Sequence, residues 1–179
     1  SMNNVVDIFV TGESSLNFFG YSVSGGGDVN GDGFADMIAG AFGYNSSTGR
    51  AYVYTNTMTG EDIPDVVVSG KASLNLGWSV SSAGDVTGAG YSDVIVGAPG
   101  YSLIQGKVHI FFGSPAMDSS ADLTITGSTG FYFGISVSTA GDVNGDGYDD
   151  VIVGAKGLSY GKAYIYYGGS SMDGGADLT

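Results

Sequence analysis

Short runs of apolar and small polar residues follow one another along this chain in an order that occurs three times. Phe19-Gly20-Tyr21-Ser22-Val23-Ser24, Leu76–Ser81 and Phe133–Ser138 alternate at period two, as half-buried strands do. Their serines suit a crowded, partly wetted place. Met37-Ile38-Ala39-Gly40-Ala41, Val94–Ala98 and Val151–Ala155 are apolar throughout, which predicts strands covered on both faces. Arg50–Tyr54, Lys107–Phe111 and Lys162–Tyr166 read as a further strand in each copy. Val5–Gly12, Asp65–Gly70 and Asp122–Gly127 read as another, placed at the head of each copy, and Asp177-Leu178-Thr179 starts one more. No stretch carries a convincing 3.6-residue period. The chain reads as all-β.

Four strands every 57 residues describe β-propeller blades, each stable only when sandwiched between neighbours. The expected array is a single one over residues 3–179, divided near 3–64, 65–121 and 122–179, with Ser1-Met2 set aside as a cloning scar. The small-residue strands are expected nearest the axis, where blades converge. Closed propellers need roughly four to eight blades, so three cannot make a ring. Either the chain is a piece of a longer protein or several chains close the ring together. Two chains supply six blades, which predicts a homodimer with Asp7–Gly12 completing the partner's last blade.

Between the first two strands of each copy lies a nine-residue loop. In Asp28-Val29-Asn30-Gly31-Asp32-Gly33-Phe34-Ala35-Asp36, oxygen-bearing side chains fall at positions 1, 3, 5 and 9. The carbonyl of Phe34 adds an oxygen at position 7, and the glycines let the backbone curl between them. Hard oxygen donors in that number suit Ca²⁺, and without a cation the carboxylates would repel one another. The third copy repeats the set as Asp142, Asn144, Asp146, the Tyr148 carbonyl and Asp150. The second keeps Asp85 and Asp93 but carries Thr87 and Ala89 at positions 3 and 5, so it is expected to stay empty. Two Ca²⁺ ions per chain are therefore expected. An EF-hand is excluded, because Ala39 and Val153 stand where its bidentate glutamate belongs.

Composition narrows the partners. A net charge of −13 disfavours nucleic acid and anionic membranes, and part of it is explained by two cations among six aspartates. There is no cysteine, hence no disulfide framework and no thiol chemistry. No run of 18 apolar residues and no leader is visible, so membrane insertion is not expected. Calcium loops of this kind fill at about millimolar calcium, which points to an extracellular or cell-surface setting.

Candidates for catalysis are few. His109 is the single histidine and occupies the position of Tyr52 and Tyr164, which makes it a packing residue. No nucleophile–base pair and no acid–base pair across a cleft stands outside the loops, so no enzymatic activity is expected. Arg50, Lys107 and Lys162 share one position and read as structural. Trp78 aligns with Tyr21 and Ile135 and reads as interface core or as a surface for ligand stacking. Tyr44, Tyr101 and Tyr160 lie in connections of variable length and are the candidates for ligand contact.

Taken together, Phe19-Gly20, the Asp28–Asp36 loop and Gly40-Ala41 resemble an FG-GAP repeat of the integrin α-subunit β-propeller. The other copies read Leu76-Gly77 with Gly97-Ala98-Pro99, and Phe133-Gly134 with Gly154-Ala155-Lys156; only the middle one keeps the proline. The resemblance covers nearly the whole chain. It implies four-stranded blades with Ca²⁺ in loops on one face of the ring, and a non-enzymatic adhesion module that binds protein through the other face. Some lectins are similar to these repeats, which leaves a glycan ligand as the alternative.

Overall fold

The computed structural model describes residues 9–55, 63–71, 74–100 and 104–178. Its strands form three antiparallel sheets in simple sequence order. The first holds β1 (Ser22–Gly27), β2 (Asp36–Ala41), β3 (Arg50–Tyr54) and β4 (Val66–Ser69). The second holds β5 (Ser79–Gly84), β6 (Asp93–Ala98), β7 (Lys107–Phe111) and β8 (Leu123–Thr126). In the third, β9 (Phe131–Gly141), β10 (Asp150–Gly157) and β11 (Lys162–Tyr166) are followed by a single antiparallel bridge between Ile165 and Leu178. The all-β, blade-like architecture expected from the period is the one observed. Helix is confined, among the described residues, to one turn at Tyr44–Ser47 with positive φ at Asn45, Ser46 and Ser47.

Sequence copy and sheet are out of phase by one strand. Asp65–Gly70 heads the second copy in the sequence, yet Val66–Ser69 pairs with β3 and closes the first sheet. Leu123–Thr126 likewise pairs with β7. Each is the outermost strand of the sheet before it, and the residues that follow carry the chain across to the next blade. The strand expected at Val5–Gly12 meets the same logic. Its first four residues lie outside those described, and residues 9–12 belong to no strand. An outermost strand finds its ladder only on the third strand of its own blade, and none precedes it here. Val10 instead packs on Ala39, Ala41, Tyr52 and Tyr54, together with Phe19.

The core lies between blades. Ile38, Val53 and Val68 of the first sheet meet Leu76, Val94, Val96 and Phe111 of the second. Ile95, Ile110 and Ile125 then meet Phe133, Val151, Val153 and Tyr166 of the third. Alternate residues of β6 thus face opposite neighbours, which is why that strand is apolar throughout and wholly buried. Each fully buried aliphatic side chain contributes about 1.5–3 kcal/mol. The small-residue strands run side by side, with β5 against both β1 and β9. Their serines tie one blade to the next. Ser22 donates to the Gly77 carbonyl at 2.9 Å, and Ser79 to the Gly134 carbonyl at 2.8 Å. Gly77 has φ +81°, and a side chain there would collide with the Arg50 carbonyl across the blade boundary. The Leu76-Gly77 pair is therefore a joint: a buried plug on one blade and a glycine that lets two backbones touch.

Candidate metal centre

All three loops sit at one end of their sheets, between the first and second strands, and share one internal architecture. Asp28 accepts the backbone N–H groups of Gly31 at 2.7 Å, Asp32 at 3.0 Å and Gly33 at 2.9 Å. Asp142 does the same for Gly145, Asp146 and Gly147 at 2.6, 3.1 and 2.9 Å. Those bonds, the one from Gly147 foremost, hold its carboxyl below the usual range. Asp85 curls the second loop through Ala89 and Gly90 at 3.0 and 2.8 Å. At position 3, the Asn30 oxygen accepts Asp32 N–H at 3.0 Å while its amide donates to the Asp32 carboxylate at 3.1 Å. Asn144 and Asp146 repeat both contacts at 2.9 and 2.8 Å. Asp32 and Asp146 also accept the N–H of Phe34 and Tyr148, at 2.9 and 3.0 Å.

Position 9 behaves differently. Asp36, Asp93 and Asp150 are buried, at most 4% exposed. Each accepts the N–H of the valine at position 2, from Val29 at 2.7 Å, Val86 at 2.9 Å and Val143 at 2.8 Å. The second oxygen of Asp93 accepts Gly113 N–H at 2.7 Å, and that of Asp150 accepts Gly168 N–H at 2.9 Å. In the second and third copies this aspartate staples the loop to the segment beyond the third strand. Burial pushes the Asp93 carboxyl up to about 6, against the two backbone donors and with the Asp85 charge nearby. Sequence reasoning counted position 9 only as a ligand. The signal for its other role was the survival of Asp93 in a loop that had lost positions 3 and 5.

As placed, no three acidic or imidazole groups among the described residues converge on a point that would hold a metal. The loop carboxylates are turned onto backbone N–H groups instead. The donor chemistry nevertheless fits a hard cation. Carboxylate oxygens accept more than one bond, so those already hydrogen-bonded keep lone pairs for an ion. The second loop shows that the fold needs neither Asn nor Asp at positions 3 and 5. Asp32 and Asp146 thus add exposed negative charge beside Asp28 and Asp142 that loop shape does not require.

The opposite face carries the tyrosines. Tyr44 lies under the Arg50 guanidinium, 3.7 Å from its ring centre, and Arg50 is held by both oxygens of Glu13 at 2.8 Å. Arg50 is thereby structural, as expected for its position. Tyr160 stands edge-on to Phe131 at 5.5 Å and is largely exposed. Tyr101 lies outside the described residues. Tyr44 and Tyr160 belong to different blades and form no common site. Trp78 packs at a tilt against Tyr21 and Phe42, ring centres 5.2 and 4.6 Å away, bridging the first two blades. Its other side lines a hollow of about 280 Å³ between the second and third, with Pro99, Tyr132, Ile135 and Lys156. That hollow was not read from the sequence; its signal is that Phe18 and Phe42, stacked at 4.9 Å in the first blade, become Tyr132 and Lys156 in the third.

His109 pairs opposite Val96 and contacts the Thr124 hydroxyl at 2.9 Å. Burial, with Lys107 and Lys71 adding repulsion, pushes it down to about 4, so it is neutral at pH 7.

Three FG-GAP repeats match, at residues 19–54, 76–111 and 133–167. The chain belongs to the FG-GAP repeat family, the class of β-propeller proteins whose blades the sheets reproduce. It is similar to integrin α-5 of Xenopus laevis, 34% identical over 185 residues that cover 94% of this chain and 17% of that protein. It is also similar to integrin α-IIb of Mus musculus, 34% identical over 87% of this chain and 16% of the relative. Integrin α-4 of Xenopus laevis matches at 32% over 83% and 15%. The chain thus spans less than a fifth of the length of these relatives. Among the described residues no helix is long and apolar enough to cross a membrane.

Proposed function

We propose that this chain is a calcium-stabilised, non-enzymatic interaction module of the adhesion type, exposed on the extracellular side and binding a protein partner. What carries the reading is the contrast among three copies of one FG-GAP loop. Two of them keep a full set of hard oxygen donors, and one keeps only the parts that fold it. In the first site Ca²⁺ is held by Asp28, Asn30, Asp32, the Phe34 carbonyl and Asp36. The other uses Asp142, Asn144, Asp146, the Tyr148 carbonyl and Asp150, and the Asp85–Asp93 loop stays empty. The ions pin the turn between the first two strands of a blade and take no part in chemistry. Partner contact falls to the face that bears Tyr44, Trp78 and Tyr160. The uncovered blade faces pair with a second copy, giving a homodimer with six blades.

Calorimetric titration of metal-free protein tests the metal reading: two sites are expected to fill by about millimolar calcium. No heat of binding at that concentration would end it. Attachment of cells to surfaces coated with the chain, lost on chelation, is the expected adhesion result.

The hollow beside Trp78 supports one alternative, a carbohydrate ligand stacked on aromatic rings. A glycan-array signal abolished by Trp78→Ala would favour that reading over a protein ligand.

A further inference from the structure

Charge is segregated between the two ends of the sheets. The aspartates of the three loops lie at the loop end, as do Asp65 and Asp122 ahead of β4 and β8 and Asp177 ahead of the Leu178 bridge. The five basic residues all lie at the other end. Arg50, Lys107 and Lys162 open the third strand of each blade, Lys71 follows β4, and Lys156 stands near the end of β10. Among the described residues Glu13 is the one acid at that end, and it is bound to Arg50 at 2.8 Å. The net charge of −13 therefore hides one end of the opposite sign. Lys156 is exposed and makes no ion pair among the described residues.

The hollow beside Trp78 lies at this basic end, with the second blade as one wall and the third as the other. The first blade boundary shows what fits in the same place. There Tyr21 and Phe42 of one blade pack on Trp78 of the next, and Phe18 lies flat on Phe42. One copy on, the counterparts of Phe18, Phe42 and Trp78 are Asn75, Pro99 and Ile135, all of them smaller. Those exchanges leave the hollow of about 280 Å³, ample for one aromatic side chain. Trp78 and Tyr132 line it with rings, Pro99 and Ile135 with apolar carbon, and Asn75 and Lys156 with polar groups. A ring entering it finds other rings to pack against, offset or edge-on, as aromatic pairs prefer.

Resting on the reading above that this face contacts a protein partner, we infer that the hollow receives an aromatic side chain flanked by carboxylates on that partner. The ring fills the space that the chain's own aromatic side chains fill at the first boundary. The neighbouring carboxylates meet Lys156 at its edge, and the other cations of this end steer them toward it. Ring and charge do different work. The ring supplies affinity by leaving water, and the carboxylates set orientation and select against basic segments.

Trp78 is the single tryptophan of the chain, so its fluorescence reads the hollow directly. The probe is a capped peptide Asp-Asp-Phe-Asp-Asp titrated into the 179-residue chain, and a saturable change in emission is expected. The peptide Asp-Asp-Ala-Asp-Asp is expected to bind roughly 10–100-fold more weakly. Lys156→Glu, at an exposed position, is expected to weaken binding of the first peptide by roughly 2–10-fold. Pro99→Phe, which installs the residue of the first copy, is expected to fill the hollow and abolish the response. Equal affinity for the alanine peptide, tighter binding of Lys-Lys-Phe-Lys-Lys, or no response at millimolar peptide overturns the inference. A glycan-array signal lost in Trp78→Ala overturns it as well, by placing a sugar in the hollow. If cells still attach to the chain in any of these cases, the inference falls alone; if attachment is absent too, the partner reading falls with it.

Discussion

The loops Asp28–Asp36 and Asp85–Asp93 share one backbone course and differ in what they offer an ion. Both are curled by the aspartate at position 1 and stapled by the buried aspartate at position 9. Only the first adds an asparagine and a further carboxylate, at positions 3 and 5. The difference separates two jobs that one motif usually mixes. Positions 1 and 9 fold the loop in both copies, while in the calcium reading proposed above positions 3 and 5 add the further oxygens a cation needs. The second loop keeps its place in the blade without oxygen donors of that kind at positions 3 and 5.

The largest expected effect breaks the folding job in the loop that has no metal job. Asp93→Ala removes the acceptor of two buried N–H groups, from Val86 and Gly113. It is expected to cost about 3–5 kcal/mol in denaturant unfolding, with or without calcium. A loss below about 1 kcal/mol would mean that position 9 is not a staple.

The next effect separates metal from fold. Asp32→Ala is expected to abolish a calcium-dependent increment of about 2.7 kcal/mol, at calcium roughly a hundredfold above Kd, and to change metal-free stability little. The converse is to rebuild the empty loop. Thr87→Asn with Ala89→Asp is expected to add a third calcium site, and Ala89→Asp alone is not. Should the double variant titrate with two sites like the parent, the donor set would not be sufficient for binding.

An effect of similar size concerns protons. The Asp93 carboxyl titrates near 6 in the fold against an ordinary value of 3.8. Its stabilising contribution is therefore complete below about pH 4 and is lost as pH rises through 6, by about 2–3 kcal/mol. His109 acts with the opposite sign: its folded value near 4 costs stability as pH falls from about 6.5 toward 4. His109→Tyr, the residue of the neighbouring copies, should gain stability relative to the parent at about pH 4 compared with pH 7. Carboxyl carbon shifts would locate the Asp93 midpoint directly, and a midpoint near 4 would remove its difference from an ordinary aspartate.

Much of the fold was legible because blades repeat. Period-two alternation in Val80–Ser81 and the apolar run Val94–Ala98 reflect local geometry, and the 57-residue spacing aligned them. The phase of the sheets was not legible. Val66–Ser69 reads equally well as the first strand of one blade or the last of another, and only its ladder with β3 decides. The second role of Asp93 escaped for a related reason, since its partner Gly113 lies 20 residues away across the sheet. Tyr44 and Tyr160 looked alike in the sequence because both occupy connections; one is pinned beneath Arg50 and the other stands in solvent.

By itself the sequence determined the local chemistry: which runs are strands, where the backbone must turn, and which loops carry oxygen donors at alternate positions. Those properties depend on neighbours a few residues apart, and periodicity and spacing record them. The tertiary structure decided everything that happens across a blade boundary. The hollow between Trp78 and Tyr132, the serine bonds to Gly77 and Gly134, and the contacts of the first two loops with Ser92 and Asp149 of the next blade join residues some 55 to 65 positions apart. No local pattern encodes such contacts, because burial on an inter-blade face depends on whether another blade is there to cover it.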